Sequence, residues 1–119
     1  TNPSPGIGWQ NQERMSLAER GPADAALALA LTHHLAISNN TPFAKIAEFF
    51  VGICNYLIVE FVPKSDSQVQ RLLATREDIF VNYTQQAFET EFARHFVLER
   101  SQPVTGLERI LYLMRRRVE

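Results

Sequence analysis

Residues 24–35 read DAALALALTHHL, and the fold turns on whether this stretch is helix or strand. Alanine and leucine favour helix by intrinsic propensity. The run from Asp24 to Leu31, however, has no polar face. It follows Gly21-Pro22 and stops at Thr32-His33-His34. A short, continuously apolar run bounded by turn signals fits a strand buried on both faces of a parallel sheet. We therefore read residues 24–31 as a strand, against propensity.

Downstream, Asn39-Asn40-Thr41-Pro42 is a helix start signal, with Thr41 as the cap and Pro42 at the first helical position. Phe43, Ile46, Ala47, Phe50 and Val51 then recur at helical spacing, while Lys45 and Glu48 face out. Gly52 and Asn55 mark the end of this helix. Tyr56 to Val62 (YLIVEFV) is rich in β-branched and aromatic residues and reads as a second buried strand, stopped by Pro63. A strand-helix-strand order requires a parallel crossover, which is right-handed. A helix is expected over residues 67–74, with Val69, Leu72 and Leu73 on its apolar side, and a loop over 78–83. Thr84 caps the next helix, whose buried stripe is Ala87, Phe88, Phe92 and Ala93. Residues 95–99 (HFVLE) alternate like a half-buried strand. Pro103 to Gly106 makes a turn, and residues 110–114 (ILYLM) form a last strand before Arg115 to Arg117. The last two strands are close enough to pair as an antiparallel hairpin. Upstream, Asn2 to Gly8 reads as loop, and Asn11 caps a short helix over residues 12–20 that Gly21 ends. The order predicts an α/β domain: parallel strands with helices and a C-terminal antiparallel hairpin.

The chain has 119 residues, which suits one small domain or part of a larger one. With 45% apolar residues, 21% charged residues and a net charge of −1, it has the composition of a globular protein. Nothing in that balance draws it to nucleic acid or to an anionic membrane. The lone cysteine, Cys54, permits no internal disulfide and no cysteine-cluster metal site, in keeping with a cytoplasmic setting. No targeting signal or bilayer-length apolar run is visible. The chain starts on Thr1-Asn2-Pro3-Ser4-Pro5 without Met, which reads as a start inside a longer protein.

In combination, three landmarks resemble the second half of the class I S-adenosylmethionine-dependent methyltransferase fold. Ala23 to Leu31, ending in Thr32-His33-His34-Leu35, is similar to the family's fourth strand and the turn after it. Tyr56 to Pro63, with its Glu60-Phe61-Val62-Pro63 exit, resembles the fifth strand. Leu111 to Arg116 resembles the final strand. The resemblance implies a partial Rossmann-like sheet, with residues 1–119 as the C-terminal part of one catalytic domain. It also implies S-adenosylmethionine as cofactor and a methyl acceptor of unknown identity. The sequence departs from the family in one respect that matters. No Gly-x-Gly-x-Gly run exists in the chain, nor the acidic residue that ends the family's second strand. Those features hold the cofactor's backbone-facing groups and its ribose hydroxyls. The chain alone is therefore expected to bind the cofactor poorly or not at all. Asn2 to Pro5 resembles the tail of the loop that passes the adenine.

In open α/β sheets ligands lie outside the carboxyl ends of the strands, here Thr32 to Leu35 and Glu60 to Asp66. Methyl transfer is an in-line displacement from a sulfonium, helped by positioning and, in some cases, by a general base. His33 and His34 are the candidate catalytic residues. One of them can deprotonate an acceptor, and the blander alternative is that they line the pocket. Trp9, Thr32 and His33 are the candidate cofactor contacts. Trp9 can stack on adenine or simply pack. Glu60 and Lys64 are the candidate substrate contacts. Glu60, in an apolar strand, holds an acceptor amine or hydroxyl, or else pairs with Lys64 or a nearby arginine. Adjacent histidines on an extended segment diverge and do not chelate one metal together, and no spacing resembles a metal site. Lys64 and Asp66 otherwise read as solvated loop charges, Cys54 as core, His95 as a helix C-terminal contact, and Arg115 to Arg117 as a solvated strand end.

Without the family's first three strands, the Ala/Leu strand would lie at an edge with unpaired backbone and an apolar surface. That predicts a homodimer through edge pairing or apolar faces. The competing reading is a non-catalytic α/β interaction or dimerisation module.

Overall fold

The computed structural model describes residues 23–118. Trp9, Asn11 and the helix expected over 12–20 lie outside the described residues. The Ala/Leu stretch is extended, as its lack of a polar face requires: β1 spans Ala23–Ala28. It ends three residues earlier than expected, because Ala30 swings into the left-handed region at φ 52°. A π-helical turn, His34–Ser38, follows. The helix α1 spans Phe43–Val51, β2 Cys54–Phe61, α2 Ser67–Leu73, α3 Gln85–Ala93, β3 Phe96–Pro103 and β4 Ile110–Arg116.

The described strands form one mixed sheet in the order β1-β2-β4-β3. β1 and β2 are parallel, joined by the α1 crossover, with Leu27 opposite Ile58 and Ala28 opposite Val59. β4 runs antiparallel to β2, placing Tyr112 opposite Val59, and it closes the hairpin with β3. The final strand is thus inserted between β2 and β3. This is the expected α/β arrangement of parallel strands, helices and terminal hairpin. The hairpin strand β3 runs to Pro103, beyond the alternating segment, and absorbs a bulge between Leu98 and Arg100. Gly106, at φ 82°, supplies the turn conformation that a side chain would strain.

Alternation divides the sheet faces. Leu57, Val59 and Phe61 of β2, with Tyr112 and Met114 of β4, point to the helix side and are fully buried or nearly so. There Phe43 from α1 and Phe88 from α3 meet edge-on at 5.4 Å, and Phe88 touches Phe61, Phe92 and Tyr112 at 4.4–5.2 Å between ring centroids. These aromatics weld the α1–α3 layer to the strands. The opposite face is open: Leu27 is 67% exposed and Tyr56 42%. Burial of the Ala/Leu strand on both faces is therefore not what this chain shows. Ala28 is buried against the helix layer while Leu27, one residue earlier, faces out.

Two local expectations also need correction. Thr41 does not cap α1. Pro42 itself is the N-cap, extended at φ −64° and ψ 151°, with no side-chain cap bond, so Thr41 sits one residue too early. The terminal arginines are not simply solvated. The Arg115 Nε donates to Glu99 at 2.6 Å, Arg116 to the Val51 carbonyl at the end of α1, and Arg117 to the Ala93 carbonyl at 2.7 Å. They tie β4 to β3 and to two helix C-termini, where cations are favoured. Thr84 does cap α3, accepting from the Ala87 N–H at 3.1 Å. Cys54 is core, fully buried, and its burial pushes the thiol up to about 11.

Candidate functional site

The parallel register brings the carboxyl ends of β1 and β2 side by side. The first consequence is a cross-strand brace at the site. The Ala30 N–H donates to Glu60 Oε1 at 2.8 Å, and the Thr32 hydroxyl donates to the Glu60 carbonyl at 2.9 Å. The left-handed turn at Ala30 is therefore stabilised by a carboxylate thirty residues away. Thr32 and His33 are driven inside by this turn, whereas His34 stays exposed.

The two histidines do not diverge. They lie on a helical turn, not an extended segment, and their rings pack at 4.3 Å with a 38° tilt. His33 Nδ1 is buried with no hydrogen-bond partner among the described residues. Burial lowers His33 to about 4, with further lowering by His34 and by the Arg109 guanidinium, against a smaller opposing pull from Asp66. His34, though exposed at its outer edge, is lowered as well by partial desolvation of its ring. His33 is therefore neutral at physiological pH and a weak base. His34 is the better placed of the two to exchange a proton.

Glu60 is buried and paired with an arginine, the alternative to a ligand contact raised by its sequence. Its Oε1 lies 3.6 Å from Arg109 Nη1. Lys64 turns elsewhere and binds Asp78 at 3.0 Å near the surface. Asp66 is not a solvated loop charge. It is buried, accepts the Gln68 N–H at 2.8 Å as the cap of α2, and takes Arg109 Nε at 2.8 Å and Nη2 at 3.2 Å. This fork holds its carboxyl below the usual carboxylate range. Burial had to be matched by pairing here, since an isolated carboxylate in such a place would be costly.

The structure thus brings together Thr32, His33 and Glu60 and leaves Lys64 apart; Trp9 lies outside the described residues. Sequence reading missed Arg109 and Asp66 as members of the site. Asp66 carried a legible signal, an Asp before the helical run Ser67–Leu73. Arg109 carried none, because it is separated by 43 residues from the carboxylate it binds.

An open groove of about 630 Å³ runs between the start of α1, the 79–83 loop and the start of α3; it is lined by Pro42, Phe43, Phe80, Tyr83, Thr84 and Ala87 among others, and by none of the residues of this cluster. Its size suits a small-molecule site. Among the described residues no group of three or more His, Cys, Asp or Glu side chains could hold a metal ion, and no helix is long and apolar enough to cross a membrane.

As for the cofactor implied by the resemblance, the residues present fit it in part. The unpartnered His33 Nδ1 offers a hydrogen-bonding edge at the strand ends, whereas the Thr32 hydroxyl already spends its proton on Glu60.

Compared with curated proteins, the chain is 42% identical over 115 residues to Nodulation protein NoeA of Rhizobium meliloti (strain 1021). The chain is related to part of that protein. The match covers 97% of this chain and 24% of the relative, so the chain spans about a quarter of the relative's length. No family model matches the chain, and no solved structure matches it.

Proposed function

We propose that this chain is the closing part of an S-adenosylmethionine-dependent methyltransferase domain. The observation that carries the reading is topological. A parallel pair joined by a helical crossover is completed by a final strand running antiparallel to it, and the twin histidines stand at the carboxyl end of the first strand. In this reading the cofactor supplies an electrophilic methyl group on sulfur. His33 lines the pocket as a neutral hydrogen-bonding group. His34, where the acceptor needs a base, receives the proton. Glu60, buried and paired with Arg109, holds the turn at the strand ends that carries the two histidines. The relative's name ties that protein to nodulation, and we extend the same process to this chain.

The test is calorimetric binding of S-adenosylhomocysteine to the full-length relative, beside the 119-residue chain. Binding is expected for the relative and greatly weakened binding for the chain alone. A folded relative that neither binds the compound nor transfers a labelled methyl group would overturn the reading. The competing reading, a non-catalytic interaction module, draws on the exposed Leu27 and Tyr56 of the open sheet face.

A further inference from the structure

We propose that Arg109 is a positioning residue for the His33 turn, acting on it from the β3–β4 loop through Glu60 and Asp66. The proposal deepens the methyl-transfer reading and rests on it for its use. Its test needs no methyl donor, so the two can fail separately.

The connections form a short relay. The Arg109 guanidinium grips Asp66 with Nε and Nη2 and leaves Nη1 3.6 Å from Glu60 Oε1. That same Oε1 accepts the Ala30 N–H at 2.8 Å. Ala30 is a non-glycine residue at φ 52°, a conformation that costs energy unless its surroundings impose it. Thr32, two residues on, is tied to the Glu60 carbonyl, and His33 follows directly. The loop that ends in Arg109 therefore sets where Glu60 sits, and Glu60 sets the turn that buries His33.

Arg109 is itself only 14% exposed in its side chain, so its charge acts at short range and with little screening. The charged and titratable groups that act on His33 are His34 on its own turn, Asp66 at the head of α2 and Arg109 from the hairpin. Two carboxylates share one guanidinium here. Losing Arg109 leaves both buried and unbalanced, which loosens Glu60 and favours a proton on His33. A lysine can keep the charge but cannot reproduce the two-nitrogen fork.

The experiment is NMR on the 119-residue chain, reading Ala30 amide exchange and the His33 ring titration. In Arg109→Gln, the Ala30 amide is expected to exchange about tenfold faster or more, while the Leu57 amide in the ladder is unchanged. The His33 midpoint should rise in the same variant, and Arg109→Lys should restore part of both effects. Arg115→Gln, which breaks the distant Glu99 pair, should leave both readouts alone. A folded Arg109→Gln chain with unmoved Ala30 exchange and His33 titration overturns the proposal. Should Arg109→Gln not fold, Asp66→Asn serves instead. It keeps the cap, weakens the fork, and is expected to speed Ala30 exchange and lower the His33 midpoint, and no movement in either overturns the proposal equally.

Discussion

At the scale of single residues, His33 makes the stability of this chain depend on pH in a definite window. Its folded value of about 4 lies below the ordinary 6.5. Between these limits the unfolded chain binds more protons than the folded one, so stability rises with pH across the window. The full span is worth on the order of 3 kcal/mol. His34, also lowered, adds in the same sense. Asp66 acts elsewhere. Its depressed carboxyl contributes stability above the unfolded carboxylate value and loses it as pH falls further. Urea titrations at several pH values should show the rise between 4 and 6.5, and His33→Gln should remove most of it, leaving the smaller His34 share and the more acidic loss in place. An unchanged slope in that variant would show that His33 is not held neutral by burial. Cys54 offers a second check. A thiol raised to about 11 and fully buried should resist iodoacetamide in the native chain and react only on unfolding, as read by mass spectrometry.

At the scale of elements, the two helix starts behave differently although both looked alike in sequence. Thr84 accepts a backbone N–H, whereas Thr41 does not cap. Thr84→Ala is expected to cost about 1 kcal/mol in chemical denaturation. Thr41→Ala should lie within about 0.5 kcal/mol of wild type. Equal losses would mean that the cap assignment is wrong. Phe88→Ala, which removes the ring touching Phe43, Phe61, Phe92 and Tyr112, should cost about 3–5 kcal/mol. The elements themselves were legible because they rest on local pattern. The Ala/Leu run had no polar face and became β1. The Phe88/Phe92 spacing became the inner stripe of α3. What was not legible depends on contacts between distant parts. The early end of β1 comes from Glu60 holding the Ala30 amide. The packing of His33 on His34 needs the turn that this contact allows. Arg109 became a site residue only when the hairpin folded back against the head of α2.

At the scale of the whole molecule, the open face of the sheet carries the consequence. Successive residues alternate sides, so the pattern that buries Ala28, Val59 and Tyr112 under the helices must turn Leu27, Ile58 and Leu113 the other way. Leu27 lies on β1, at an edge of the described sheet, and is 67% exposed. An apolar face next to a strand at the edge of the described sheet is a template for association. In a protein four times as long, other parts of the chain can cover it. For the 119-residue chain we expect the occupant to be a second copy, in a homodimer joined through this face and edge. Light scattering across a range of concentrations should give twice the mass of one chain. Leu27→Lys puts a charge into the middle of the proposed contact without touching the helix-side core, so it should return a folded monomer. The Lys64–Asp78 pair lies outside the face, and Lys64→Ala should leave the dimer intact. A wild-type chain that stays monomeric at the highest concentrations, with its sheet amides well protected from exchange, would mean that the apolar face tolerates water and that self-association does not govern how this chain behaves in solution.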